Sequence, residues 1–102
     1  MKRVRVKICG LTDEAGVDAA VDAGADAIGF VLSASPRQVG VEQAKALSQR
    51  VPAFVSLVLV YRDEPASAIR PAVELLQPDL VQIDAAHAEG RPGRLLPVYR
   101  DD

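Results

Sequence analysis

Short apolar segments separated by longer mixed segments run through the whole chain. Five of them predict β-strands, at about Arg3–Ile8, Ala27–Leu32, Phe54–Tyr61, Leu80–Ile83 and Leu96–Tyr99. The middle three are almost continuous in Val, Ile, Leu and Phe, which is typical of strands buried on both faces of a parallel sheet.

The first two segments between strands carry apolar residues at helical spacing. Thr12 or Asp13 can cap the start of a first helix, and Gly24 suits its C-terminal end. A second helix is predicted over about Val41–Arg50, since its apolar residues recur on one helical face.

The third helix is predicted over about Pro65–Leu76, with Pro71 inside it. A proline in a helix interior is expected to kink the helix or delay its start. The fourth connection, Asp84–Arg94, is rich in Ala, Gly, Pro and charge and predicts a loop with at most one helical turn. Leu96–Tyr99 is therefore either a fifth strand or a tail outside the sheet. Alternating strands and helices predict a parallel α/β fold in a single domain over residues 1–102.

Composition narrows the classes of function. The chain has 102 residues, of which 49% are hydrophobic and 25% charged, and its net charge of −2 argues against nucleic-acid and membrane partners. No signal-peptide pattern and no long apolar run occur, which favours a cytoplasmic location. Cys9 is the only cysteine, so no intramolecular disulfide is expected.

Polar and reactive residues follow each predicted strand. In a parallel α/β fold the C-terminal strand ends share one rim, and chemistry gathers there. The residues expected at this rim are Cys9, Ser33, Ser35, Arg37, Arg62, Asp63, Asp84, Arg100, Asp101 and Asp102.

Cys9 and Arg37 each allow two interpretations. A lone cysteine is often a small buried hydrophobe, whereas Cys9 at a strand end, beside Lys7 and a helix N-terminus, could act as a thiolate base. Arg37, stiffened by Pro36, is either a solvated loop residue or a planar fork that binds a carboxylate or phosphate.

The other candidates are weaker. Asp84, Asp101 and Asp102 could serve as acids, although loop carboxylates are usually only solvated. His87 is the single histidine and is expected at the surface, since it has no companion ligands for a metal site. No glycine-rich phosphate motif occurs, so neither a metal nor a nucleotide cofactor is expected.

Three motifs together resemble one family. They are VKICGLT at Val6–Thr12, GADAIGFV at Gly24–Val31 and SASPRQV at Ser33–Val39. In this order and spacing the chain resembles phosphoribosylanthranilate isomerase, an enzyme of tryptophan biosynthesis. The similarity is firm over about Val6–Leu47 and looser beyond.

The resemblance implies a fold, a reaction and a set of site residues. The chain would form a (βα)4-type half of a TIM (β/α)8 barrel, and the reaction would be a cofactor-free Amadori rearrangement of a phosphorylated aminoaldose to an aminoketose. Cys9 matches the family's general base, and Arg37 matches the arginine that contacts the anthranilate group. Lys7 and Ser35, from the same two motifs, are predicted to help bind the substrate.

The departures from the family leave two main hypotheses; a third, another sugar-phosphate barrel enzyme that shares the strand-two motif, is disfavoured by the KICG segment. The family's acid on strand six and its phosphate site after strands seven and eight have no counterpart in this sequence, and QLHG on strand four is replaced by Gln82-Ile83-Asp84-Ala85. The first hypothesis is an isomerase completed by a second copy or by a complementary half-barrel, with Asp84 as a substitute acid. The second is a non-catalytic half-barrel for binding or assembly, or the remnant of a truncated isomerase.

Overall fold

Five parallel strands form one sheet in a computed structural model that describes residues 3–99. They follow one another in sequence order, each hydrogen-bonded to the next. The strands are β1 (Lys7–Cys9), β2 (Ala27–Val31), β3 (Ser56–Val60), β4 (Leu80–Asp84) and β5 (Leu95–Val98). The helices are α1 (Glu14–Asp22), α2 (Val41–Ser48) and α3 (Ala66–Leu76), and a 3-10 turn spans Ala85–His87. The predicted parallel α/β alternation is confirmed.

The two faces of the sheet differ in character. Because side chains alternate along a strand, one face of β2 carries Ile28 and Phe30, which are fully buried. They join Leu59, Val81 and Ile83 in a core that includes residues of all three helices. The opposite face carries the other set of alternating side chains.

The helix starts follow local chemistry. Asp13, not Thr12, caps α1, and its carboxylate accepts the Gly16 N–H at 2.7 Å. Gly24 follows the helix at φ +92°, a backbone angle that glycine tolerates. The expectation that Pro71 delays α3 is wrong, because α3 begins at Ala66 and includes Pro71. The carbonyl that Pro71 cannot bond belongs to Ser67, which is exposed and can be hydrated.

The outer strands begin and end differently from the predictions. β1 is shorter than the predicted Arg3–Ile8 and reaches Cys9. Phe54 lies outside β3, in a turn at φ +70° with its side chain fully exposed. Pairing of β3 starts at Ser56, whose N–H donates to the Asp26 carbonyl at 2.9 Å.

Leu95–Val98 is a strand of the sheet, so the alternative of a free tail is wrong. It pairs with β4 over four residues. The Val81 N–H donates to the Arg94 carbonyl at 2.7 Å, which places the backbone groups of Arg94 and Leu96 toward β4. Pro97 has no N–H to give, and its nitrogen faces away from β4, so the ladder tolerates it. Arg100, Asp101 and Asp102 lie outside the described residues.

Two neighbouring strand pairs, β1–β2 and β3–β4, begin with the same arrangement of hydrogen bonds to an aspartate. The Val6 N–H donates to Asp26 Oδ2 at 2.7 Å, and the Asp26 N–H donates back to the Val6 carbonyl at 2.8 Å. Leu57 and Asp79 repeat this exchange at 2.7 and 2.9 Å. Each carboxylate thus fixes how an odd-numbered strand meets the next strand.

Asp26 is also held by an ion pair with Arg3. Its hydrogen bond with the Arg3 guanidinium, and to a smaller extent that from the Val6 N–H, lowers the pKa of Asp26 from 3.8 to about 2.

Within residues 3–99, no helix has the length and apolar character required to cross a membrane.

Asp26→Asn is expected to lower the free energy of unfolding at neutral pH and to make it less dependent on pH. A carboxyl with a depressed folded-state pKa contributes stability above about pH 4, and this contribution disappears as the pH falls toward 2. Urea denaturation between pH 2 and pH 7 measures both effects. Glu42→Gln, at an exposed site on α2, is the control. An unchanged pH profile in Asp26→Asn would contradict this account.

Candidate active site

A hydrogen bond across the sheet shows that the face opposite the helices is concave. The Lys7 ammonium group on β1 donates to Gln82 Oε1 on β4. These strands are three positions apart, or about 14 Å in a flat sheet with spacings near 4.8 Å. The contact requires the sheet to curve toward this face, as a barrel wall does.

The Cys9 thiol lies on the same concave face, two residues after Lys7. Cys9 is half-buried, and its register partner on β2 is Gly29. A Cβ atom at Gly29 would lie 3.3 Å from Cys9 Sγ and 3.3 Å from Val60 Cγ2. The absent side chain at Gly29 therefore creates the space that the sulfur occupies. The thiol is not packed between the sheet and the helices.

The Arg37 side chain lies against Gly10, the residue that follows Cys9. A Cβ atom at Gly10 would lie 2.6 Å from Arg37 Cδ and 3.2 Å from its Nη1. Gly10 also has φ +81°, and its N–H donates to the Gly29 carbonyl at 3.0 Å. Gly10 is therefore needed twice, once for the turn after β1 and once for the approach of the guanidinium.

The loop that carries Arg37 is closed on itself. The Arg37 N–H donates to Ser35 Oγ at 3.1 Å, and the Gln38 side chain donates to the Leu32 carbonyl at 3.2 Å. The Val39 N–H donates to the Val31 carbonyl at 2.9 Å. Ser35 thus shapes the loop through its hydrogen bond with the Arg37 backbone. The side chains of Ser35 and Arg37 are both exposed at the rim.

Asp84 and His87 line a separate pocket on the same rim. This cavity has a volume of about 420 Å³ and is lined by Arg62, Asp63, Asp84, Ala85, Ala86, His87, Val98 and Tyr99. Asp84 is buried, and its N–H donates to the Arg62 carbonyl at 3.2 Å. His87 is exposed, as expected. Among residues 3–99, no three His, Cys, Asp or Glu side chains converge as a metal site would require.

The sequence placed Tyr61 in a buried strand, but its acidic neighbour Glu64 was missed. Tyr61, directly after β3, is buried, and this burial, with the nearby Glu64 carboxylate, raises its pKa to about 12. Glu64 lies between Asp63 and Pro65 in a run of charge that suggests only a solvated loop. Its partners become visible only once the loops after β2 and β3 are placed side by side.

An apolar groove lies at the other end of the sheet, between β1 and α1. Its volume is about 440 Å³, and its lining is made of Val6, Ile8, Leu11, Gly16, Ala19, Ala20, Ala23, Gly24 and Ala25. Among the described strands β1 pairs only with β2, so its other edge adjoins this groove.

Comparison with known proteins agrees with this arrangement. A family model described as N-(5'-phosphoribosyl)anthranilate (PRA) isomerase matches residues 6–91, which include Cys9, Arg37 and Asp84. The chain belongs to the phosphoribosylanthranilate isomerase family.

Relatives in the phosphoribosylanthranilate isomerase family extend well beyond the matched region. The curated enzyme from Dechloromonas aromatica is 47% identical over 90 residues, which are 83% of this chain and 43% of the relative. The chain thus spans less than half the length of that relative.

Solved structures of the family match the fold. The phosphoribosyl anthranilate isomerase of Thermotoga maritima superposes with a TM-score of 0.76 at 37% identity, over 80% of this chain and 40% of that one. A second isomerase structure, in complex with reduced 1-(o-carboxyphenylamino)-1-deoxyribulose 5-phosphate, gives the same TM-score and identity over 80% of this chain and 43% of that one. The described sheet therefore corresponds to part of a TIM-type barrel.

Gly29→Ala is expected to slow alkylation of Cys9 by iodoacetamide several-fold. The added methyl group would enter the space beside the sulfur and press on Val60. Labelling is read by mass spectrometry, and Cys9 is the only cysteine, so one adduct reports one site. Gly40→Ala is the control, because a Cβ there meets nothing within 4 Å. Equal labelling rates in the two variants would show that the thiol does not lie over Gly29.

Proposed function

We propose that this chain supplies the base and the anthranilate-binding arginine of a phosphoribosylanthranilate isomerase. The observation that carries the proposal is the juxtaposition of Cys9 and Arg37, since Arg37 crosses Gly10, the residue next to the thiol. The relative with a bound ligand supports a phosphorylated sugar bearing a carboxyphenylamino group. An arginine fork suits the carboxylate of that group.

The proposed reaction moves a proton and balances internally. In the protonated open-chain imine of the substrate, the Cys9 thiolate takes the proton from C2, and the C–H electron pair forms the C1–C2 double bond of an enolamine as the C1=N bond electrons neutralise the nitrogen. A proton then adds to C1 while the C2 hydroxyl group loses its proton, and the C2–O bond becomes the ketone. No electrons are gained or lost overall, so the isomerisation needs no redox cofactor.

Lys7, Ser35 and Asp84 have supporting roles in the proposal. Lys7 lies two residues before Cys9 on the concave face, where a cation can attract an anionic substrate. Ser35 shapes the Arg37 loop. Asp84 follows Gln82 by two residues, so alternation directs it to the same face as the Gln82 side chain, where it is our candidate for the acid.

We further propose that the site is completed by additional β/α units. The free edge of β1 and the adjoining apolar groove favour association. A second copy of this chain, giving a homodimer, or a complementary half-barrel could supply them. A cytoplasmic location belongs to the same proposal, because a reducing compartment keeps Cys9 a free thiol.

Cys9→Ala is expected to reduce isomerase activity by about 10²–10⁴-fold, the usual contribution of a positioned general base. Loss of phosphoribosylanthranilate fluorescence measures activity, with the chain alone and mixed with the C-terminal half of the Thermotoga maritima relative. Ser67→Ala, an exposed residue of α3, is the control. Light scattering during gel filtration gives the oligomeric state. If the unmutated chain shows neither turnover nor ligand binding in any mixture, the non-catalytic interpretation replaces this one.

Gly10→Ala and Gly24→Ala form a matched pair that isolates Arg37. Both glycines have positive φ, at +81° and +92°, so either alanine costs about 1–3 kcal/mol of stability through backbone strain. Only the methyl group at residue 10 would displace Arg37, because a Cβ added at residue 24 would meet nothing within 4 Å. Ligand affinity should fall in Gly10→Ala alone, as titration calorimetry can measure. Equal affinities would exclude Arg37 from the binding site.

A further inference from the structure

Glu64 lies where two loops of the catalytic rim meet. Its Oε1 accepts the Ser33 hydroxyl at 2.6 Å, from the loop after β2. The same oxygen accepts the backbone N–H groups of Arg62 at 3.1 Å and Asp63 at 3.2 Å, from the loop after β3. One carboxylate oxygen thus joins the two loops, and Ser33 Oγ reinforces the junction by accepting the Arg62 N–H at 2.8 Å.

A third segment joins at the same residue. Arg91, in the connection between β4 and β5, donates its Nε–H to the Glu64 carbonyl at 2.9 Å. Glu64 therefore connects three successive rim segments through its side chain and its backbone.

The Glu64 side chain is held as an anion. Its partial burial, the largest influence, opposes ionisation, but the hydrogen bonds from Ser33 and from backbone N–H groups together outweigh it. The pKa of Glu64 consequently lies below the usual value. Hydrogen bonds to a charged acceptor are stronger than those to a neutral one, so the ionised Glu64 holds the two loops together more strongly than a neutral side chain would.

The junction bears on Arg37 through the loop that both Ser33 and Arg37 occupy. That loop is closed by the hydrogen bond from the Gln38 side chain to the Leu32 carbonyl, directly before Ser33. Fixing Ser33 therefore restrains the loop backbone from which the Arg37 side chain extends over Gly10.

We propose that Glu64 is a positioning residue that holds the Arg37 loop in place and thereby sets the affinity for a carboxylate-bearing ligand. This inference rests on the proposed binding role of Arg37. The hydrogen bonds of Glu64 go to Ser33, Arg62, Asp63 and Arg91 and not to Cys9, so the proposal places its effect on ligand binding in the Arg37 loop.

A thermodynamic cycle tests the proposal, with reduced 1-(o-carboxyphenylamino)-1-deoxyribulose 5-phosphate as the probe. Glu64→Gln should raise the dissociation constant about tenfold, the effect of losing one charge-assisted hydrogen bond. In the Arg37→Ala background the same change should have almost no effect, since coupled residues are non-additive. Amide hydrogen exchange at Arg62 and Asp63 should accelerate in Glu64→Gln. The exposed helix substitution Glu74→Gln is the matched control.

Each outcome supports or overturns the proposal. Additive losses in the cycle, or unchanged affinity in Glu64→Gln when the unmutated chain binds the probe, overturn the role of Glu64 and leave that of Arg37 intact. If the unmutated chain does not bind the probe under any condition, the proposed function fails first and this inference fails with it. Ser33→Ala removes the other side of the junction and gives the same test if Glu64→Gln does not fold.

Discussion

The register of β1 against β2 depends on the hydrogen bonds that Val6 and Asp26 exchange. Because side chains alternate along a strand, a slip of one residue would exchange the two faces of β1. Cys9 would then enter the layer between the sheet and the helices, and Ile8 would face the concave side. The pairing of Asp26 with Val6, just before β1, thus helps to fix the face of the sheet on which the Cys9 thiol lies.

Curvature is the second constraint on the site. The contact between Lys7 on β1 and Gln82 on β4 joins strands that are not neighbours, so the concave face brings polar groups from separate strands together. Helices crowd the other face, where Phe30 and Leu59 are fully buried. The sheet therefore separates the helix-covered layer from a concave face, and in barrel enzymes the chemistry lies at the C-terminal strand ends of that inner face.

Strong local patterns in the sequence predicted most of the fold. The apolar runs of β2 to β4 and the motif residues Cys9 and Arg37 were readable, because each depends on neighbours in the chain. The start of β3 at Ser56 was not readable, since Phe54 at positive φ contradicts the usual preference of an aromatic residue for strands. Glu64 was also missed, because its partner Ser33 lies 31 residues away and only the fold brings them together. Long-range hydrogen bonds of this kind leave no periodic signal in a sequence.

Pro97 makes the two open edges of the sheet, at β1 and β5, unequal in backbone hydrogen-bond donors. Its nitrogen occupies a place on the open side of β5 where other residues would present a donor, while Lys7 and Cys9 offer complete amide groups on the open side of β1. An incoming strand consequently gains fewer backbone contacts at the C-terminal border than at the N-terminal one. Any strand that paired with an edge of this sheet would therefore form more backbone hydrogen bonds at β1, the strand that carries Cys9.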